Sequence, residues 1–355
     1  AQVQAVGDEA FAVAPIASGP FAVQEFIPDS ELLLVRNENY STNLPLVENK
    51  GPVHLTEMLV REIPEEMTMT AELEAGTIDV LENAPAATID RLRNNPEITV
   101  IESRQPGIIG LVANLNQPFF ADLQVRQAIA KAVNRDELVK VVIGAVPVHA
   151  FITQGMVAYS AEMESYGQEL HTHDIAAAQA LMAEAGWTDS DGDGIVEKDG
   201  TPFAVELLIS TNAADQEQAG QVLQSQLKEI GIDIQIVKQD TNLLWELKGA
   251  GEFDLGFEVY GWPDPDILSL VFGAPWWNSS KYDNPEMVEQ LTAARYILDA
   301  EERTAAYAAI QKTLLDDVVE VTLWQRTRYL AVRNSVQGLV TNGAHVLLND
   351  VTIEE

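Results

Sequence analysis

A short acidic loop carries the clearest metal-ligand spacing in the sequence. Its residues are Asp189, Asp191, Asp193 and Gly194. This order matches the first half of a calcium-binding loop, in which oxygen ligands alternate around a hard cation and glycine makes a sharp turn. Position twelve, normally a bidentate glutamate, is Gly200, so Glu197 or Asp199 would have to replace it. The sequence therefore predicts a structural calcium site, with an ion-free Asx turn as the alternative.

A second group of candidate binding residues combines tryptophan with aspartate. Trp262 runs directly into the Pro-Asp-Pro-Asp turn at 263–266. Because indole supplies a large apolar area with one polar N–H, tryptophan can stack on a sugar or on an apolar side chain. The candidate ligand contacts of this kind are Trp262, Asp264, Asp266, Trp245, Trp276 and Trp277. The alternatives are a turn that only caps a helix and tryptophans that only fill the core.

The remaining chemical motifs are weaker. His171 and His173 have a metal-like spacing, but the aspartate that follows them, Asp174, stands where it would cap a helix beginning at Ile175. The sequence contains no Gly-x-Ser-x-Gly elbow, no phosphate loop and no His-Glu-x-x-His helix. We therefore predict a protein that is not an enzyme.

Composition limits the classes of partner. The chain has 355 residues, of which 46% are hydrophobic, enough for a core divided between two domains or lobes. Lys and Arg total 21 against 55 Asp and Glu, a formal charge of -34. Such a charge repels nucleic acid and anionic lipid, so neither is an expected partner. Without cysteine, the chain uses neither disulfides nor thiolate metal sites.

Strands and helices alternate along most of the chain. Two strands at 21–27 and 31–36 flank a turn, and a later helix ends at Gly76. A long helical region is predicted over 122–143. The other predicted helices and strands after it are 174–185, 203–210, 214–230, 232–237, 241–249, 254–260, 285–298, 301–317 and 321–332. This alternation predicts a mostly parallel sheet with helices on both faces.

Many short segments, in a fixed order, carry a resemblance to a known family. Early ones are Gly19-Pro20-Phe21, 34–40 and 73–80. Later ones are 114–120, 122–129, 132–135, 181–187, 191–195, 261–266 and 282–286. Together they resemble the family 5 bacterial extracellular solute-binding proteins, a group that includes dipeptide, oligopeptide, nickel and some oligosaccharide binding proteins.

The resemblance implies an α/β, two-lobed fold of the type II periplasmic-binding-protein kind. The implied domains are lobe 1, residues 1–112 with 324–355, and lobe 2, residues 113–323. Two crossings, at 111–116 and 321–328, would form a hinge between the lobes, and ligand would bind where the lobes close. Asn114, at the first crossing, joins the candidate ligand contacts.

The family also supplies the expected function. The chain would be the substrate-binding component of an ABC importer, taking a peptide-like or oligosaccharide ligand to permease subunits, with no required cofactor. It would act as a monomer, periplasmic or extracellular and associated with the cell surface. Because members carry a substantial stretch before the Gly-Pro-Phe hairpin, we expect lobe 1 to be incomplete here and the signal peptide to be missing.

The loop after Trp262 departs from the peptide-binding pattern. Peptide-binding members place an aspartate a few residues before the Asp-Pro-Asp, where it pairs with the amino terminus of the peptide. That aspartate is absent here, so Asp264 or Asp266 would have to substitute for it. Two other functions stay open: a carboxylate- or metal-dependent hydrolase using these residues and the histidine pair, and a surface scaffold or sensor that does not transport.

Overall fold

The chain forms two compact units. The computed structural model describes residues 7–13, 15–341 and 345–354. The first unit comprises Ala1–Ser103 with Arg328–Glu355, and the second comprises Arg104–Thr327. The predicted boundaries of lobe 2, at 113 and 323, both lie inside the second unit.

Helices and strands alternate as the sequence indicates. The helices are α1 (Asp8–Val13), α2 (Glu66–Ala75), α3 (Ile89–Arg93), α4 (Leu123–Ala132), α5 (Arg135–Val141), α6 (Ala161–Leu170), α7 (Ile175–Glu184), α8 (Ala214–Lys228), α9 (Thr241–Ala250), α10 (Pro285–Ala294) and α11 (Ala300–Asp316), with a 3-10 turn at Ala86–Thr88 and a π-helix at Ser269–Gly273. The strands are β1 (Phe21–Ile27), β2 (Glu31–Arg36), β3 (Glu57–Arg61), β4 (Val80–Leu81), β5 (Ile98–Arg104), β6 (Ile108–Ala113), β7 (Ala145–Pro147), β8 (Glu197–Lys198), β9 (Thr201–Pro202), β10 (Ala204–Ser210), β11 (Asp233–Gln239), β12 (Leu255–Tyr260), β13 (Glu320–Arg333), β14 (Val336–Gln337), β15 (Val340–Thr341), β16 (Val346–Leu347) and β17 (Thr352–Ile353).

The first unit is built around an antiparallel hairpin and a small core. Strands β1, β2 and β3 form a three-stranded antiparallel sheet, and both predicted hairpin strands have the predicted limits. The last part of β13 pairs with β4 and β5 in this unit. Helix α2 ends at Gly76, whose φ of 77° is the left-handed conformation that the sequence predicts there.

The second unit is organised by a mixed sheet. Its strand order is β11-β10-β12-β6-β13, and β7 also pairs with β13. Strand β10 runs parallel to both β11 and β12. Strand β6, however, is antiparallel to both β12 and β13. The predicted mostly parallel sheet is therefore wrong, because alternation of elements indicates crossovers but not the direction in which the long strand β13 returns through the sheet.

The predicted first crossing between lobes also differs from the structure. Residues 108–113 form β6, which pairs along its length with β12 on one side and β13 on the other. Segment 111–116 thus begins in the middle of the second unit. The chain instead passes between the units after Ser103, and again after Thr327, within the predicted second crossing.

Two apolar cores lie on opposite faces of this sheet. Since side chains alternate along a strand, Leu255 and Phe257 of β12 join the larger core, which includes Phe203 and Trp324. Tyr260 joins a second core with Phe151, Leu268 and Tyr307. The face that carries Tyr260 also carries Gly256 and Glu258, so one side of β12 is partly polar.

Side-chain caps define where many helices begin. Aspartate or asparagine accepts a hydrogen bond from a backbone N–H of the first turn at Asp122, Asn134, Asp174, Asp240, Asn284 and Asp299. Each such cap stabilises its helix by about 1 kcal/mol. The cap at Asn134 divides the predicted helix over 122–143 into α4 and α5. Among the described residues, no helix is long and apolar enough to cross a bilayer.

Candidate functional site

A cavity in the second unit gathers three of the predicted ligand contacts. Its volume is about 280 Å³, and its lining consists of Trp262, Asp264, Asp266, Ile267, Leu270, Arg295 and Arg303. Trp262, Asp264 and Asp266 come from the loop that follows β12, whereas the two arginines come from the end of α10 and the first turn of α11. The site therefore joins residues that are about 30 to 40 positions apart in the sequence.

Close backbone packing holds the loop that begins the site. Gly107 has a φ of 108°, and a Cβ built there would lie 2.1 Å from the carbonyl oxygen of Tyr260. Only glycine permits so close an approach together with a positive φ. On the other side of the loop, the backbone N–H of Val157 donates to the carbonyl of Pro263 at 2.8 Å. Trp262 is thus presented from an anchored segment.

Asp264 is both a turn residue and an ion-pair partner. It accepts two hydrogen bonds from Arg303, at 2.8 and 3.1 Å, and one from the backbone N–H of Asp266 at 2.9 Å. Burial alone would raise the pKa of Asp264, but the hydrogen bonds from Arg303 and from the backbone outweigh it and lower that pKa. Asp264 is therefore an anion whose charge is already balanced within the protein.

Asp266 forms a second pair beside the first. The Nε atom of Arg295 lies 2.9 and 3.0 Å from its two carboxylate oxygens, and the Ser269 hydroxyl donates to it at 2.7 Å. The hydrogen bond and charge of Asp266 raise the pKa of Arg295 above its usual value. The cavity wall thus carries two positive and two negative groups in alternation, next to an indole ring.

The four predicted tryptophans do not share one site. Trp262 is 47% exposed and lines the cavity. Trp245, Trp276 and Trp277 form a separate cluster, with ring centroids 6.3 Å apart for the first and last and 5.6 Å apart for the adjacent pair. Lys248 lies 5.0 Å from the ring centroid of Trp245. We keep Trp262 in the proposed site and treat the other three as a distinct aromatic surface.

Asn114 is placed differently from the prediction. Its side chain is buried, and its amide donates to the carbonyls of Gly251 and Phe253 at 2.8 and 3.1 Å. Its amide oxygen accepts from the backbone N–H of Asn116. Because its amide and its oxygen are both used inside the fold, we leave Asn114 out of the proposed site.

The acidic loop brings its predicted ligands together. Carboxylate oxygens of Asp189, Asp191, Asp193 and Glu197 all lie within 4.8 Å of one another. The same oxygens accept backbone hydrogen bonds that shape the loop, including one from Gly192 to Asp189 at 2.7 Å. Glu197 is thus the carboxylate that takes the place of the missing glutamate at position twelve. Calcium binding here stays a prediction.

The histidine pair does not form a metal site with Asp174. The Asp174 carboxylate caps α7 by accepting from the backbone N–H of Ala177 at 2.9 Å. His171 is buried, and burial together with the nearby charges of Arg135 and Lys131 lowers its pKa to about 3. His173 is exposed. These residues therefore serve the helix start and the core in the described part of the chain.

The arginines of the cavity had no signal in the sequence. Arg295 and Arg303 stand near the ends of helices whose limits the sequence indicates, but nothing in their own neighbourhood links them to the 263–266 turn. Only the packing of α10 and α11 against that turn brings them to Asp264 and Asp266. Chemically, the completed site offers charged hydrogen-bond donors and acceptors with an aromatic face, which suits binding of a small polar solute.

Known proteins with similar sequences are solute-binding proteins. The oligopeptide-binding protein AppA of Bacillus subtilis (strain 168) is 26% identical over 330 residues, covering 91% of this chain and 59% of the relative. The nickel-binding periplasmic protein of Escherichia coli (strain K12) is 26% identical over 318 residues, covering 86% and 58%. The chain thus spans just under three-fifths of the length of these relatives.

Solved structures show the same fold. HbpA2 from Haemophilus parasuis has a TM-score of 0.81 at 21% identity and covers 100% of this chain and 68% of its own. NikA from Brucella suis, in complex with Fe(III)-EDTA, has a TM-score of 0.80 at 23% identity, with 96% and 69% covered. The expected type II periplasmic-binding-protein fold is therefore confirmed.

The family model agrees with both comparisons. The model described as Bacterial extracellular solute-binding proteins, family 5 Middle matches residues 1–285. Its members bind solutes for transport and are not enzymes, as the sequence predicts. On this match, the chain belongs to the bacterial extracellular solute-binding proteins of family 5.

Proposed function

We propose that this chain captures a peptide-like solute for an ABC importer, outside the cytoplasm, and delivers it to a permease. The observation that carries the proposal is the cavity where Trp262 stands beside the Asp264–Arg303 and Asp266–Arg295 pairs. Peptides present amide groups, charged termini and side chains, and a wall of alternating charges next to an indole ring complements all three. Among the relatives, the Bacillus subtilis AppA is named as oligopeptide-binding.

The size of the cavity limits what part of a ligand it takes. Pockets that enclose a whole drug-sized ligand usually measure about 300 to 1,000 Å³. At about 280 Å³, this cavity fits one or two residues of a peptide, or one sugar unit. The charge pairs favour the peptide, because the hydroxyl groups of a sugar are uncharged and gain less from buried ionic partners.

A ligand screen by thermal shift tests the proposal. The probes are pools of di- to tetrapeptides and of short oligosaccharides, offered to this chain, to Trp262→Ala and to Trp276→Ala. A peptide at a hundred times its dissociation constant adds about 2.7 kcal/mol to the free energy of unfolding. We expect this shift with peptides, a weaker one in Trp262→Ala, and no loss in Trp276→Ala, whose ring lies in the other aromatic cluster.

Each contrary outcome points elsewhere. A shift with oligosaccharides alone would replace the peptide by a sugar ligand. A shift that Trp276→Ala abolishes and Trp262→Ala leaves unchanged would move the site to the cluster of Trp245, Trp276 and Trp277. No shift with any pool would favour a scaffold or sensor on this fold.

A further inference from the structure

Three charged side chains are buried together on the partly polar face of the second unit's sheet. Lys248 of α9, Glu258 of β12 and Glu320 of β13 are 1%, 0% and 2% exposed. The Lys248 ammonium donates to Glu258 Oε2 at 2.6 Å and to the carbonyl of Phe257 at 3.0 Å. This buried group lies outside the cavity of Trp262, and the proposed ligand binding does not use it.

Gly110 makes the space that Glu320 occupies. Strand β6 lies between β12 and β13, with Gly110 opposite Glu258 on one side and opposite Thr322 on the other. A Cβ at Gly110 would lie 1.8 Å from Glu320 Oε1. The carboxyl of Glu320 therefore lies against the bare backbone of Gly110, on the same face as Glu258. The absence of a side chain at Gly110 lets the two acidic groups approach each other.

The charges of the cluster do not balance if both glutamates are ionised. One lysine faces two carboxylates, and the lysine is already bonded to Glu258. Both carboxylate oxygens of Glu320, Oε1 of Glu258 and the hydroxyl of Tyr260 are buried without a hydrogen-bond partner in the described part of the protein. A buried carboxylate in this situation ordinarily takes up a proton, because an unpaired buried charge costs far more than a neutral acid.

The surroundings of Glu320 point in the same direction. The groups that face it are Lys248 from α9 and Glu258 and Tyr260 from β12, while β6 contributes only uncharged residues. Burial first, and the negative charge of Glu258 second, raise the pKa of Glu320 well above the usual range, against the smaller opposing effect of Lys248. Burial also raises the pKa of Tyr260, so its hydroxyl stays neutral.

We propose that Glu320 is a buried proton site: at neutral pH it holds one proton in the folded chain, which leaves the cluster with Lys248 and Glu258 electrically neutral. Protonation turns Glu320 into a hydrogen-bond donor, and Glu258 Oε1 and the Tyr260 oxygen are the unpartnered buried acceptors on that face. On unfolding, water reaches the carboxyl and the proton is released. The stability of the second unit is thereby coupled to pH.

The sign of the coupling follows from the raised pKa of Glu320. Below the pKa of an unfolded glutamate, about 4.3, both states carry the proton and pH has no effect through this group. Above it, the unfolded chain ionises while the folded chain keeps the proton. Each further pH unit then favours unfolding up to tenfold, until the folded carboxyl ionises as well.

Urea unfolding across the range from about pH 5 to pH 9 tests the proposal in this chain, Glu320→Gln and Glu206→Gln. Glu206 is an exposed residue of the same sheet. The ratio of the unfolding constants of the unchanged chain and Glu320→Gln should rise with pH, by up to tenfold per unit. The ratio taken with Glu206→Gln should stay constant. A constant ratio for Glu320→Gln would overturn the proposal.

Two further measurements keep the test sharp. If the ratio rises only when sodium is replaced by choline, a metal cation rather than a proton neutralises the cluster, and the proposal is wrong. If Glu320→Gln does not fold, infrared spectroscopy of the unchanged chain at neutral pH decides. A protonated-carboxyl absorption that disappears on unfolding supports the proton site, and its absence from the folded chain excludes it.

Discussion

Arg295 holds Asp266 through its Nε atom alone, which lies 2.9 and 3.0 Å from the two carboxylate oxygens. Its two terminal nitrogens have no hydrogen-bond partner among the described residues, and the side chain lines the cavity beside Trp262. Arginine normally binds a carboxylate with two N–H groups at once. Arg295 therefore keeps a pair of charged donors for a ligand without breaking its own ion pair.

This relationship predicts which end of a peptide the cavity prefers. In Arg295→Gln, affinity for peptides with a free carboxylate should fall by about 1.5 to 3 kcal/mol, the usual contribution of a hydrogen bond to a charged group. Affinity for the same peptides with an amidated carboxyl end should change little. Titration calorimetry with matched acid and amide peptides measures both. Equal losses for acid and amide would mean that Arg295 only positions Asp266.

The buried pair of Lys248 and Glu258 predicts a strong dependence on both partners. Lys248→Met leaves Glu258 buried without its ammonium, and removal of one member of such a pair typically costs about 3 to 5 kcal/mol. The double variant Lys248→Met/Glu258→Leu removes both charges and should recover most of that loss. Urea unfolding at neutral pH checks the cycle. If the double variant is as unstable as the single one, packing and not charge explains the loss.

Gly110 predicts a steric effect that its neighbour Glu320 controls. In Gly110→Ala the new methyl group would overlap the Glu320 carboxyl, and such overpacking typically costs about 1 to 3 kcal/mol. Gly249→Ala is the matched control, because a Cβ there meets open space in helix α9 and alanine favours a helix by about 1 kcal/mol. Thermal unfolding compares the two. The loss at Gly110 should shrink in a Glu320→Ala background.

His171 predicts a loss of stability in acid. Burial lowers its pKa to about 3, with Arg135 and Lys131 adding to the effect, whereas an unfolded histidine has a pKa of about 6.5. As pH falls below that value, only the unfolded chain gains a proton. At about pH 5 the difference reaches about 2 kcal/mol. The stability of this chain relative to His171→Gln should therefore fall from neutral pH towards about pH 4; a constant difference would contradict the neutral buried histidine.

The acidic loop predicts a response to calcium. With carboxylates of Asp189, Asp191, Asp193 and Glu197 within 4.8 Å of one another, a bound ion would relieve their mutual repulsion. Calcium at a hundred times its dissociation constant should add about 2.7 kcal/mol. Thermal unfolding in calcium and in chelator measures this, with Asp191→Asn as the test and the exposed Asp283→Asn as the control. Equal midpoints in calcium and chelator would leave the loop as an ion-free turn.

Local structure and family membership were readable from the sequence, because their signals lie within a few residues of one another. The hairpin at 21–36 follows from alternating apolar residues around a turn. Asp174 and Asn284 identify helix starts, since a capping side chain reaches only the next two or three backbone N–H groups. The four carboxylates of the acidic loop were also predicted together, because one loop of fewer than ten residues carries all of them.

The tertiary structure alone decided how distant segments meet. Asp264 and Arg303 become partners because α11 packs against the loop after β12, and no spacing rule connects residues so far apart. The reversal of direction at β6, the burial of Asn114, and the meeting of Glu258 with Glu320 above Gly110 all depend on strand register. A strand's own sequence shows which side chains share a face, but its neighbour and their alignment are set by packing of the whole unit, where burial and charge are balanced together.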